Sequence, residues 1–176
     1  MTLAVRMKRP EPAEHAEYYS RYVNLVPEGD IVATLYEQMK RFAAYLRTIP
    51  ESKGDHRYGA DKWSIKEMLG HVNDGERIFA YRALRFARAD ENPLPGFEQD
   101  DYVRVAGHGR CSMADLIEEF ELLRKANILM FKQLDEAAWK RVGTASGNKV
   151  SVRALAFILA GHVEHHIKML KEKYGV

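Results

Sequence analysis

Four stretches of this chain repeat apolar residues every three or four positions. That period commits most of its length to amphipathic helix. The first stretch runs Ile31, Leu35, Met39, Phe42, Leu46 and Ile49, follows Asp30 and is closed by Pro50. The second carries Ile65, Met68, Leu69, Val72, Phe79, Ala83 and Phe86. It opens on Ser64 with Glu67 three residues on, the pattern of a capping box, and Trp63 and Met68 flank the cap as a hydrophobic staple does. Its end is expected before Asn92-Pro93, because the residue preceding a proline is pushed out of helical geometry. The third begins at Ser112 with Asp115 and carries Leu116, Phe120, Leu123, Asn127, Met130 and Leu134. The fourth begins at Ser151 and carries Val152, Leu155, Leu159, Val163, Ile167 and Leu170. No βα unit repeats, so the fold class is all-α, a four-helix bundle.

The rest of the chain punctuates these helices. Residues 1–27 read as an N-terminal arm: Pro10, Pro12 and Pro27 interrupt it, and Tyr18, Tyr19 and Tyr22 cluster around a short helical turn. The bundle domain takes residues 28–176. The stretch ENPLPGFEQDDYVRVAGHGRC is a loop of about twenty residues, long for a compact domain and of a length often tied to function or disorder. Between Trp139 and Ser151 the helical period breaks, and Gly147-Asn148 suits the turn of a short hairpin. Two connections are long enough to cross the bundle, so simple up-down-up-down order is not required.

Composition narrows the partners. The 176 residues carry 27 Lys and Arg against 25 Asp and Glu, a net charge of +2. That balance argues against nucleic acid or an anionic membrane as partner. No stretch approaches the roughly 20 apolar residues of a membrane span, and the first residues hold no apolar run of signal-peptide length. The single cysteine, Cys111, excludes an internal disulfide. A reducing, cytoplasmic home is expected.

Three of the seven histidines lie in AGHVEHHIKML near the end of the chain. His162 and His166 are spaced i, i+4, neighbours on one helix face, beside the apolar stripe where a bundle ordinarily carries Leu or Ala. Two imidazoles so placed can reach one ion, as in the HxxxH helices of zinc sites. His165 turns about 100° away and is expected to be exposed. A third ligand must come from another helix, and His71, at the edge of the second helix's apolar arc, is the candidate. Three neutral imidazoles suit Zn²⁺, Ni²⁺, Fe²⁺, Co²⁺ or Mn²⁺ and leave coordination open to water, substrate or a thiolate. The competing reading is that these histidines are core packing with satisfied hydrogen bonds.

The segments KWSIKEMLGHVNDGERIFAYR and ALAFILAGHVEHHIKML, with the NPLPGFEQDDYV loop between them, resemble the signature helices of the DinB-like (YfiT-like) metal-dependent hydrolase superfamily. The resemblance spans about residues 28–174. It implies a four-helix bundle of up-down-down-up topology and a homodimer. It also implies a divalent metal held by one histidine of the second helix and an HxxxH pair of the fourth, here His71, His162 and His166. The activity implied is metal-dependent hydrolysis, or transfer of a low-molecular-weight thiol to a small-molecule substrate. A non-catalytic, stress-related bundle that binds metal or a small ligand is the alternative.

Other polar residues carry two readings each. Glu76 falls within an apolar arc, where an unpaired carboxylate is costly; it either pairs with a buried cation or tyrosine, or orients a ligand imidazole. Asn127 sits mid-stripe and reads as a structural hydrogen-bonder. Asp74 points off the arc into solvent. His108 is either a surface histidine or a cover for the site. Cys111 has no neighbouring base to activate it. Leu94, Phe97 and Tyr102 either line a substrate pocket or pack beneath the loop.

Overall fold

The computed structural model describes residues 8–176, so the first seven residues of the expected arm lie outside the described residues. A turn at Pro12–Glu14 and another at Glu17–Tyr19 lead into a one-turn helix α1, Ser20–Val23. The long helices are α2 (Ile31–Leu46), α3 (Ile65–Ala87), α5 (Met113–Lys132) and α7 (Val152–Met169); between them lie short helices α4 (Gln99–Ala106) and α6 (Glu136–Lys140) and a hairpin, β1 (Val142–Ala145) and β2 (Asn148–Ser151).

Each long helix starts where a side-chain oxygen can take the backbone N–H groups that a first turn leaves free. Asp30 accepts from Val32 and Ala33, Ser112 from Asp115, and Ser151 from Ala154. At α3 the box is reciprocal: Ser64 accepts from the Glu67 backbone at 3.2 Å, and the Glu67 carboxylate accepts from the Ser64 backbone at 2.8 Å.

Pairings between helices set their directions. Asn73 of α3 donates to the Leu116 carbonyl of α5 at 3.0 Å, and Glu76 meets Arg124 further along, so α3 and α5 run parallel. Gln38 of α2 donates to the Ala160 carbonyl of α7 at 2.8 Å, and Tyr45 reaches Val176, so α2 and α7 run parallel. His71 faces His166 while Phe79 faces His162, so α3 and α7 are antiparallel. Gln38 meets Arg124 while Arg47 meets Glu121, so α2 and α5 are antiparallel as well. The order is up-down-down-up, and the crossover falls in the long second connection.

The core has two parts. One gathers Phe79, Phe86, Phe131, Trp139 and Leu155 near the hairpin, with Phe131 and Trp139 stacked at 5.3 Å. The other gathers Phe42, Met68, Leu116, Phe120 and Val163. From Ala154 to Val163 helix α7 is buried all round, more like a central rod than an amphipathic face.

Three local expectations are corrected. The long loop contains α4, closed by Gly107 at φ 71°, and its Leu94 bridges to Ala145 beside the hairpin. The hairpin turns at Ser146-Gly147, one residue before the expected pair, with both residues at positive φ. Helix α3 stops at Ala87, before Asn92-Pro93 as expected. The buried face of α5 is rotated: Arg124, Ile128 and Phe131 are buried where Leu123, Asn127 and Met130 are half-buried. The reason is electrostatic. Arg124, 0% exposed, donates to both carboxylate oxygens of Glu76, 1% exposed, through Nε at 2.9 Å and Nη2 at 2.5 Å, and through Nη1 to Gln38 at 2.7 Å. Asn127 adds a bond to Glu76 at 3.0 Å. A charge pair can stand in a core stripe only when both ends are satisfied.

Removing one partner therefore strands the other. Glu76→Ala or Arg124→Ala is expected to lower unfolding free energy by about 3–5 kcal/mol, and a double replacement by apolar residues of matching size by much less; urea unfolding of the three variants measures both.

Candidate metal centre

Helix α3 brings His71 and helix α7 brings His162 and His166 to one point, all three buried. Their Nε2 atoms converge: His162 lies 2.9 Å from His71 and 3.1 Å from His166. The three ligand atoms lie within 4.8 Å of one another, a grouping of the kind that holds a metal ion. The approach of the two helices is close because α3 carries glycine opposite His162. A Cβ on Gly75 would stand 3.0 Å from the His162 ring. Trp63 covers His71 from outside, ring to ring at 4.7 Å.

A neutral imidazole nitrogen carries one hydrogen or one lone pair. His162 Nε2 therefore cannot satisfy two converging nitrogens at once, and core packing leaves the set short of partners. Protonating the rings does not relieve this. Burial pushes the His71 pKa down to about 4 and those of His162 and His166 well below the ordinary 6.5, with neighbouring imidazoles adding to the effect. The rings are neutral, with lone pairs to give. Two imidazole nitrogens bound to one ion at about 2.0–2.1 Å are about 2.9–3.4 Å apart, which matches both spacings about His162. The donor set fits a divalent transition ion.

Two cavities open onto the histidines. One, of about 270 Å³, is bordered by His71 and His162 with Tyr19, Phe79, Phe97 and Ser146. The other, of about 540 Å³, is bordered by His71 and His166 with Arg21, Tyr58, Lys62, Trp63 and Tyr174. They share Tyr18 and Tyr22 from the arm, His71, and Gln99 and Asp100 from α4. The arm stays close because α7 has no side chain at Gly161. A Cβ there would collide with the backbone carbonyl of Tyr22.

Several sequence candidates fall elsewhere. Glu76 is spent on Arg124, and Asn127 on Glu76. His108 packs its ring on Gly70, one residue from His71, and does not join the three-histidine group. His165 is half-buried, not exposed, edge-on to Tyr22 at 5.5 Å. Asp74 is half-buried, and burial raises its pKa. Phe97 borders a cavity, Tyr102 packs against it at 5.2 Å, and Leu94 belongs to the core. Sequence reading missed Gly75 and Phe79 as site residues, although His71, Gly75 and Phe79 share one helix face by spacing alone. It placed the tyrosines in an arm but had no signal tying them to the centre.

The DinB superfamily model matches residues 34–170. The chain belongs to the DinB superfamily. Among solved structures this DinB chain is similar to YfiT from Bacillus subtilis, described as a probable metal-dependent hydrolase with an unusual four-helix bundle topology. The identity is 12% and the TM-score 0.73, over 99% of this chain and 95% of YfiT. It is also similar to the mycothiol-dependent maleylpyruvate isomerase, at 13% identity and a TM-score of 0.67, over 81% of this chain and 60% of the isomerase. At these identities the likeness is one of fold. No curated protein matches the chain in sequence. No helix of the described residues is long and apolar enough to cross a membrane.

Two outcomes are expected. Gly161→Ala should lower stability by about 1–3 kcal/mol through overpacking and quench the protection of α1 amides in hydrogen exchange. The metal-free protein should lose stability as pH falls from about 6.5 towards 4, because the unfolded chain binds protons at an ordinary histidine pKa while folded His71 resists them to about 4. Thermal melts across that window, with a shallower slope for His71→Leu, check it.

Proposed function

We propose that this chain is a metal-dependent enzyme in which His71, His162 and His166 hold one divalent transition ion, of the set Zn, Ni, Fe or Mn, and that it acts on a small molecule bound in the two cavities. The observation that carries the reading is the convergence of three neutral Nε2 atoms on the wall of an open cleft. When bound, such an ion supplies Lewis acidity: it lowers the pKa of a coordinated nucleophile or polarises a substrate group. The chain's own residues do the rest. Helices α3 and α7 fix the rings, Trp63 and Phe79 exclude water around them, and Gln99 and Asp100 offer polar groups at the shared mouth.

Hydrolysis needs one organic substrate and water. Two cavities meeting at one histidine favour a second reading, transfer involving a low-molecular-weight thiol, with thiol and electrophile in separate lobes. The fold shared with a mycothiol-dependent isomerase supports it. A purely storage or structural role calls for a fourth protein ligand sealing the centre. Neither Glu76 nor His108 supplies one, which weighs against that alternative. We take the working protein to be a homodimer, as the family resemblance implies, in the cytoplasm, as the single cysteine suggests.

Untagged protein, purified without a metal-affinity column, should carry about one transition-metal ion per chain by elemental analysis. His162→Ala/His166→Ala should carry none and should lose the rise in melting temperature that added metal gives the wild type, since an ion that binds only the folded state stabilises it. Absence of metal in both, with no stabilisation by Zn²⁺, Ni²⁺ or Mn²⁺, returns the histidines to core packing and removes the enzyme reading. With metal present, ester hydrolysis and thiol-transfer screens separate the two activities.

A further inference from the structure

We infer that the Tyr22 hydroxyl is the fixed hydrogen-bond donor to an anion seated at the three-histidine centre, an inference that rests on the metal reading above. Tyr22 is 6% exposed, yet it borders both cavities. Its ring stands edge-on to His162, one of the three site histidines, at 5.5 Å and to His165 at 5.5 Å. Its backbone is held there by the close approach to Gly161, which gives the phenol a rigid mount.

Among the described residues no carboxylate, amide or backbone group bonds to that hydroxyl; its hydrogen-bond partner is the Tyr18 hydroxyl. A phenol this deeply buried ordinarily finds a protein partner. Two hydroxyls that share one hydrogen bond leave one O–H uncommitted, and both tyrosines border the two cavities. Such a donor is available to whatever occupies the cleft.

The charge of the centre says what that occupant is. Three neutral imidazoles contribute no negative charge, so a divalent ion held by them keeps its full charge and draws an anion. A donor fixed beside it stabilises charge as it develops without reorganising. The ligand class is therefore a small molecule whose reacting group becomes anionic at the centre. A carboxylate, the oxyanion of an acyl group under attack and a thiolate all meet that description. The other polar groups at the shared mouth, Gln99 and Asp100, are exposed on short helix α4 and lack such a mount.

Azide, which binds open metal sites and accepts hydrogen bonds, is the probe. Full-length protein loaded with Co²⁺ is titrated with azide, and the visible absorption of the cobalt is followed in wild type, Tyr22→Phe and Tyr18→Phe. Tyr22→Phe keeps the ring contacts with His162 and His165, so cobalt content should stay at the wild-type level. Loss of one charge-assisted hydrogen bond should raise the azide dissociation constant about tenfold or more. Tyr18→Phe should have a smaller effect. Unchanged azide affinity in Tyr22→Phe, with cobalt still bound, overturns the donor role and leaves the metal reading intact. An equal or larger effect in Tyr18→Phe moves the donor to Tyr18 and overturns the assignment to Tyr22. A wild type that takes up no cobalt removes both the metal reading and this inference.

Discussion

The bundle is registered by one buried charge pair. Arg124 of α5 grips Glu76 of α3 through two nitrogens and Gln38 of α2 through a third, and Gln38 passes the network on to the Ala160 carbonyl of α7. Four helices meet in one set of hydrogen bonds. Apolar stripes alone tolerate sliding and rotation, because burial is proportional to area and has no direction. A guanidinium and a carboxylate taken out of water have far fewer acceptable arrangements. The network lies between the two halves of the core, and its members are near neighbours in sequence of the site histidines: Glu76 follows His71 by five residues, and Ala160 precedes His162 by two. Fixing the network fixes the depth at which the three imidazoles face one another.

Around that frame the site is made by what is missing. Gly75 leaves room for the His162 ring, Gly161 lets the arm's backbone lie against α7, and Gly70 seats the His108 ring. In a helix interior glycine costs stability relative to alanine, and α3 and α7 accept that cost where another backbone or ring must come close. The result is a cluster of neutral, desolvated imidazoles with aromatic rings on several sides and open space on two. Burial keeps the rings unprotonated, and the same burial leaves their nitrogens without water, so both effects favour a bound cation.

The helices, their caps and the order of the elements were legible in the sequence because each is a local property. Ser64 with Glu67 marks a helix start wherever it occurs, and the period of Ile31 to Ile49 states its own face. The HxxxH pair was legible for the same reason: spacing on one helix is geometry already. His71 was legible only as a candidate, supported by family resemblance, since nothing within α3 says which helix it will face. The rotation of α5 was not legible. Its pattern offers Leu123 and Met130 as core residues, and only pairing with Glu76 on another helix turns Arg124 inward. Helix α4 was hidden by its brevity, since eight residues hold too few turns to show a period.

The sequence by itself determined an all-helical chain, where its long helices begin, and a pair of imidazoles on one face of the last. Those are decided within a few residues, by backbone hydrogen bonding and side-chain spacing. Only the tertiary structure decided that His71 completes the group, that Glu76 pairs with Arg124 and Asn127 with Glu76, and that Tyr18 and Tyr22 border the cavities beside the histidines. These contacts join residues far apart in the chain. They depend on helix register, which the buried charge network and the close approaches at glycine set together and no single segment encodes.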